Sequence, residues 1–305
     1  MNILLTGASG FIGAAFLRHI ERNGLFSGDR VFLLTGREIP GYRCIFHKDY
    51  SFEASDLAKA GADQIDVVVH LGSATPKTVA ECGIEHIFKY MMNVRNTIHL
   101  LENLPGVLEK FIFISSTDVY DEGTPVVNEA SPLSNCGAYG LSKIMCEAYL
   151  AKQARTKNFV LQILRLGYIY GPGEEVYSKI ISEFMKLILA GRPVRIFGDG
   201  SGIRSMLHVD DCCRALAQAV LLPESIGPVN IVSSQRVTVK ALAEMMHEVC
   251  ARPMNAIYSD SKKGAKNVFE AAKMKKYFTV PEIPLIRGLM EYRDYYSGRM
   301  RDCGA

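Results

Sequence analysis

The sequence predicts an α/β protein in which a doubly wound parallel sheet carries a smaller C-terminal lid domain. Three observations predict it. Short, continuously apolar runs alternate with longer helical patterns through the first half, as strands buried on both faces by helices must. A glycine-rich turn joins the first apolar run to the first helical one. After Tyr170 the rhythm breaks at Gly171-Pro172-Gly173 and becomes loop-rich.

Taken in order, strands are expected at 2–6, 31–35, 43–47, 66–71, 110–115 and 159–166. Helices at 11–23, 84–103 and 138–156 lie between them. Right-handed crossovers then bring the carboxyl ends of the strands, and any ligand, to one edge of the sheet. Beyond 170, helices are expected at 176–190, 210–222, 237–251 and 284–296, with 191–205 as loop and 299–305 frayed. The expected division is 1–170 for the sheet domain and 171–305 for the lid, some lid segments returning to the main sheet.

Composition narrows the function classes. Of 305 residues, 48% are apolar and 22% charged, the balance of an ordinary globular protein. A net charge of +3 without a Lys/Arg stripe gives nucleic-acid binding no support, while a small anionic ligand needs only a few local cations. The start, Met1-Asn2-Ile3-Leu4-Leu5, reads as a first strand rather than a signal peptide, and no apolar run reaches the ~18 residues of a membrane span. The eight cysteines contain no C-x-x-C pair, so reduced thiols, no metal site and a cytoplasmic address are expected.

Thr6-Gly7-Ala8-Ser9-Gly10-Phe11-Ile12-Gly13 follows the first strand and opens the first helix. Gly7 allows a sharp turn, Gly10 lets backbone approach a diphosphate, and Gly13 lets helix and strand pack closely. The helix N-terminus offers N–H groups and a favourable dipole to the phosphates, with Ser9, Phe11 and Ile12 completing the loop. A glycine triplet alone is weak evidence; strand before and helix after make this a Rossmann-type dinucleotide site. The second strand bears on the choice of dinucleotide. An acidic residue at its end would accept the ribose 2′-hydroxyl of NAD, but the sequence there is Leu34-Thr35-Gly36-Arg37. Thr35 and Arg37 suit a 2′-phosphate, which favours NADP over NAD. The alternative is a solvated Arg37, with Glu38 reaching the ribose.

Tyr139 and Lys143 stand four residues apart, on one face of a helix that leads into the next strand. Such a pair is common on ordinary helices. Its context is the carboxyl end of the fifth strand at Ser115-Ser116, the ligand edge of a doubly wound sheet.

In this setting the chain resembles an extended short-chain dehydrogenase/reductase of the NAD-dependent epimerase/dehydratase family, which acts mainly on nucleotide sugars. The resemblance spans nearly the whole chain. It rests on Gly7-x-x-Gly10-x-x-Gly13, His70-Leu71-Gly72-Ser73-Ala74, Asn93, Ser115-Ser116-x-x-Val119-Tyr120, Tyr139-x-x-x-Lys143, Arg165 with Tyr170-Gly171-Pro172, and Arg204-x-x-x-His208-Val209-x-Asp211. It implies that Tyr139 exchanges a proton with a sugar oxygen while hydride moves to or from the nicotinamide. A free phenol has a pKa near ~10, so Lys143 would lower it and also hold the nicotinamide ribose. Ser116 would hydrogen-bond the reacting oxygen. Leu71, Gly72, Ser73 and Asn93 would line the cofactor, Gly72 by leaving room for it, and Asp49 would meet the adenine. His70 is expected to be a packed, satisfied side chain. Arg204 would bind the substrate diphosphate, whereas His208 and Asp211 are expected to order the loop and cap the next helix.

Departures from the family pattern bear on the reaction. Tyr168 stands where the family often has the Asn that meets the substrate diphosphate, and Asn96 where Gly is usual. Dehydratases follow their catalytic hydroxyl with acidic residues, but here Thr117 takes the first of those positions and only Asp118 remains, as a substrate-site residue. The expected order is therefore a 4-ketoreductase using NADPH first, a 4-epimerase retaining NAD next, then a 4,6-dehydratase. A cofactor-binding regulator would be expected to have lost one of Ser116, Tyr139 and Lys143. A homodimer through the 84–103 and 138–156 helices is implied by the resemblance.

Overall fold

The computed structural model describes residues 1–121, 123–134, 137–260 and 267–302. Cys136 and residues 303–305 therefore lie outside the described residues. The strands are β1 (Asn2–Thr6), β2 (Arg30–Thr35), β3 (Arg43–Phe46), β4 (Val67–His70), β5 (Lys110–Ser116), β6 (Val126–Val127) and β7 (Val160–Leu166). They continue as β8 (Tyr168–Tyr170), β9 (Val194–Phe197), β10 (Ile203–His208), β11 (Gly227–Ile231), β12 (Arg236–Thr238), β13 (Ala256–Ser259) and β14 (Val268–Phe269). The helices are α1 (Phe11–Arg22), α2 (Ala54–Lys59), α3 (Ile87–Glu102), α4 (Ala138–Lys157) and α5 (Ile180–Leu189). After them come α6 (Val209–Leu221), α7 (Val239–Val249), α8 (Ala272–Tyr277) and α9 (Leu285–Asp302).

Seven strands form one sheet in the order β11-β7-β5-β4-β1-β2-β3, with parallel pairing from β7 through to β3. The chain winds outward in one direction from β1 to β3 and in the other from β4, so the switch point lies between β1 and β4. This is the doubly wound Rossmann-type sheet that the apolar runs predicted. Alternate residues of its strands, Phe32 and Leu34, Phe111 and Phe113, enter one core with Val94 and Leu101 of α3 and Cys146 and Leu150 of α4.

The chain divides into two compact units: 1–121, 132–166 and 213–229 form one, and 122–131, 167–212 and 230–305 the other. The second has its own core, in which Ile181, Met185 and Ile188 of α5 meet Val194, Ile196, Met206, Leu242, Met246, Leu289 and Tyr292.

Several sequence expectations need correction here. The stretch read as loop, 191–205, holds β9 and the start of β10; β9 alternates buried and exposed residues over only four positions, too few for the pattern to stand out. The helix expected from 84 starts at Ile87, after a 3₁₀ turn at Ile84–His86. That expected from 176 starts at Ile180, where extended Lys179 precedes it and the Ser182 hydroxyl donates to the Tyr177 and Lys179 carbonyls. The one expected from 237 is preceded by β12, and Thr238 caps α7 by accepting from the Ala241 amide. The last helix continues to Asp302 rather than fraying at 299, because Arg299 and Tyr295 both donate to Glu175. Helix α2, only six residues long, was not foreseen. Among the described residues no helix is long and apolar enough to cross a membrane.

Candidate active site

The turn after β1 needs its glycines for steric reasons that can be read atom by atom. Gly7 has φ +71°, and a Cβ there would lie 2.6 Å from the Gly72 nitrogen. A Cβ on Gly13 would lie 2.2 Å from the Gly7 carbonyl oxygen, so α1 can sit this close to β1 only with glycine. Gly10 is the N-cap of α1 and offers no side chain to its amides, and the first turn holds no acidic residue. An anion therefore meets neither a competing cap nor a repelling charge there. The loop fits a dinucleotide diphosphate.

Behind this loop a chain of buried polar groups ties β1, β4 and α3 together. The Gly72 amide donates to the Thr6 hydroxyl at 2.9 Å, and that hydroxyl meets His70 Nδ1 at 2.7 Å. His70 Nε2 meets the Thr97 hydroxyl at 3.1 Å, and Thr97 donates to the Asn93 carbonyl. Both ring nitrogens are thus engaged, and burial, helped by the Lys143 charge, pushes the imidazole pKa down to about 3. His70 is a neutral, packed histidine. Asn93 accepts from the Ala74 amide and donates to the Ala74 carbonyl and the Ser142 hydroxyl, so it joins the loop after β4 to α4. Ser73 turns its hydroxyl to Ala74 at 3.4 Å, and Leu71 is half-buried beside it.

Other expected cofactor residues sit differently from expectation. The room at Gly72 is filled by the Tyr50 hydroxyl, 1.9 Å from where a Cβ would be and donating to the Gly72 carbonyl. Gly72 thus makes room for a phenol of the protein itself. Thr35 spends its hydroxyl closing the turn after β2, donating to the Arg37 carbonyl and accepting from the Arg37 amide. Arg37 is exposed and crosses to the glycine loop, donating to the Ser9 carbonyl at 2.9 Å. Asp49 is exposed with φ +53°, and Arg95 of α3 holds its carbonyl at 2.9 Å.

The expected catalytic residues lie in the first unit, on β5 and on α4, which packs against it. Ser116 ends β5, buried, its hydroxyl accepting from the amide of exposed Asp118. Tyr139 and Lys143 lie on the buried side of α4; the Lys143 ammonium is 5.7 Å from the Tyr139 ring centre and donates to the Ile114 carbonyl at 2.7 Å. Tyr90 of α3 packs edge-on against Tyr139, ring centres 5.5 Å apart. Burial pulls the Lys143 ammonium down to about 8, with Cys146 and Glu147 opposing.

Sequence reasoning missed Glu147 altogether. It is buried one turn beyond Lys143 and takes both Arg165 Nη2 at 2.6 Å and Nε at 3.0 Å, while Ser115 donates to it at 2.5 Å. Arg165 also donates to the Tyr120 hydroxyl at 2.8 Å. The signal was a lone arginine inside the apolar strand β7, which demands a buried acid somewhere.

In the second unit, Arg204 is half-buried on β10 and donates to the Ile203 carbonyl, burial lowering its pKa. Tyr168 turns its hydroxyl inward, buried toward the start of α5, which pushes its pKa well up. Its hydroxyl therefore does not stand in for an exposed amide; what Tyr168 presents is its ring, with the Lys179 ammonium 5.0 Å from its centre. His208 is buried, and Asp211, in the first turn of α6, accepts from the Ile283 amide at 2.7 Å.

Comparison with known proteins agrees with this architecture. The chain is 28% identical to an uncharacterized UDP-glucose epimerase of Bacillus subtilis, YtcB, over 85% of each chain. It is 27% identical to the low-salt glycan biosynthesis protein Agl12 of Haloferax volcanii, over 98% of this chain and 99% of that one. Among solved structures, UDP-glucuronic acid 4-epimerase of Bacillus cereus, in complex with UDP-glucuronic acid and NAD, shares the fold with a TM-score of 0.84. There the identity is 24%, over 98% of this chain and all of the other. The family model for the NAD dependent epimerase/dehydratase family matches residues 3–232, and the chain belongs to that family.

Proposed function

We propose that this protein is a nucleotide-sugar 4-epimerase that retains its dinucleotide and uses Tyr139 as the proton carrier. The observation that carries the reading is the buried Tyr139–Lys143 pair on α4, set in the same unit as Ser116 at the end of β5. The dinucleotide, when bound, supplies a reversible acceptor for hydride. Gly7, Ser9, Gly10 and the start of α1 would hold its diphosphate. Ser116 would hydrogen-bond the sugar C4 oxygen and Tyr139 would take its proton as C4 is oxidised to a ketone. With hydride returned to the opposite face, Tyr139 gives the proton back. Lys143 keeps the phenol acidic enough for both directions. Arg204 is the group that would meet the substrate diphosphate. Epimerase is favoured because YtcB and the Bacillus cereus enzyme carry that description. The six described cysteines are all thiols, which suits a cytoplasmic enzyme.

A second reading, a 4-ketoreductase drawing on NADPH, is favoured by one feature. Arg37, anchored on Ser9, presents a guanidinium beside the glycine loop, and no carboxylate ends β2. The test uses purified protein with UDP-glucose, UDP-glucuronic acid, dTDP-glucose and their 4-keto forms, with NAD or NADPH. Interconversion of C4 epimers without net change in nicotinamide absorbance is the expected result, and stoichiometric NADPH loss with a keto sugar marks the reductase instead. Tyr139→Phe should lower either rate by about 100-fold or more, as loss of a general acid-base group does. Turnover that survives this change sinks both readings.

A further inference from the structure

The buried face of α4 is unusually polar: Tyr139, Ser142, Lys143 and Glu147 all point inward. A helix seated by an apolar stripe has its rotation set by packing. Here Cys146 and Leu150 seat the helix in the core, and polar bonds add to the setting of its rotation, Glu147 making three of them. Its carboxylate takes a forked pair from Arg165 of β7 and a third bond from Ser115 of β5. Arg165 reaches on to Tyr120, in the segment that follows Ser116. One carboxylate thus bonds directly to two neighbouring strands, β5 and β7, and through Arg165 to the loop after β5.

We propose that Glu147 is a positioning residue for the proton-transfer chemistry, fixing α4 against β5 so that Tyr139 and Lys143 face Ser116 in one geometry. The proposal rests on the Tyr139 reading above. Sheet register does not need the carboxylate, because the ladder already pairs Ser115 with Arg165. An ion pair as such is not needed for stability at this place, since buried pairs replaced whole by apolar groups are often neutral or stabilising, although losing one partner alone is costly. What the forked pair supplies is direction, because a guanidinium binds a carboxylate in few orientations. Its placement also gives it an electrostatic part. Lys143 is faced by Cys146 and Glu147 from its own helix, by Tyr139 one turn earlier, and by His70 from β4. Of these Glu147 is the one carboxyl group, and it is paired with Arg165.

The experiment compares wild type, Glu147→Gln, Ser115→Ala and Tyr139→Phe, using UDP-glucose and UDP-glucuronic acid with NAD. Glu147→Gln is expected to lower kcat by about 100-fold, the effect of a displacement near 1 Å at reacting groups. KM and the Kd of NAD should stay within about twofold, because the glycine loop lies on β1 and α1. NMR titration of the Lys143 ammonium in protein without dinucleotide should show its pKa falling, since an opposing charge is gone. Unchanged kcat, or an unmoved Lys143 titration, overturns the proposal. Should Glu147→Gln fail to fold, Ser115→Ala removes one bond while leaving the ion pair, and is expected to lower kcat severalfold with Kd unchanged. Full kcat in a folded Ser115→Ala protein likewise overturns it. Tyr139→Phe separates the two levels. An active Tyr139→Phe refutes the function itself, whereas an inactive one beside a fully active Glu147→Gln refutes only the positioning role.

Discussion

Glu174 is fully buried, and neither of its carboxyl oxygens has a well-formed hydrogen bond among the described residues. Burial pushes its pKa up to about 8; the nearby Lys179 charge and the Ser182 amide pull it back, and Glu175 adds to the rise. At neutral pH the group is therefore mostly protonated in the fold, while in the unfolded chain a glutamate ionises near ~4.3. Between these two values the folded state holds the proton more tightly, so Glu174 costs stability progressively as pH rises from about 4.5 to 8. Glu174→Gln removes the charge and keeps the shape. Its stability should match wild type near pH 5 and exceed it at pH 8 by on the order of 1–3 kcal/mol, read as a higher melting temperature. Thermal melts of both proteins at the two pH values check this, and equal curves at pH 8 would sink it. His70 works in the opposite sense. Its folded pKa of about 3 lies below the usual ~6.5 of histidine, so the stability it contributes is lost as pH falls through that window.

At the scale of elements, the β1–α1 turn is the part most tightly specified by sequence. Gly7→Ala would place a methyl against the Gly72 backbone at an unfavourable φ, so the loop must shift. The expected outcome is loss of NAD affinity by about tenfold or more, as the amides no longer converge on the diphosphate. Isothermal titration measures it, and affinity within twofold of wild type would count against the loop as the cofactor site. This element was legible because its spacing encodes a steric requirement. The central strands were legible for a related reason: burial on both faces leaves continuous apolar runs such as Val67–Val69. Short strands with one open face were not. β9 keeps Arg195 and Phe197 outward, and β12 is three residues long with Arg236 exposed, so neither shows enough period to declare itself. The proposed catalytic pair on α4 was singled out by its setting and by the family resemblance rather than by its spacing, but Glu147 could not be read at all. An acid on a helix reads as solvated until its partner is known, and that partner sits in a strand 18 residues further along. For the same reason the sequence could not foretell that Tyr50 fills the space at Gly72. Contacts between segments distant in sequence have no local signature.

For the molecule as a whole, the open question with the sharpest structural handle is whether the chain works alone. Helices α3 and α4 lie side by side on one face of the first unit, joined by Asn93 to Ser142 and by Tyr90 to Tyr139. Large apolar side chains remain outside on these same helices: Phe88 is 86% exposed and Met145 39%. Just before α3, Ile84 is also exposed, at 56%. Single exposed apolar residues need no explanation, but three grouped on adjoining elements suit a helical face that meets a second copy of itself. A two-fold axis there would pack α3 and α4 against their counterparts as a four-helix layer. The consequence for catalysis is direct, since Tyr139 and Lys143 lie on the inner side of α4 and the proposed interface would steady the helix from its outer side. Phe88→Glu puts a charge where apolar contact is expected, and unpaired charge in an interface core is costly. Light scattering should then show about half the mass of wild type, with NAD still bound because the glycine loop lies elsewhere in the unit. Wild type at the mass of one chain would refute the dimer; an unchanged mass in Phe88→Glu would move the interface to another face.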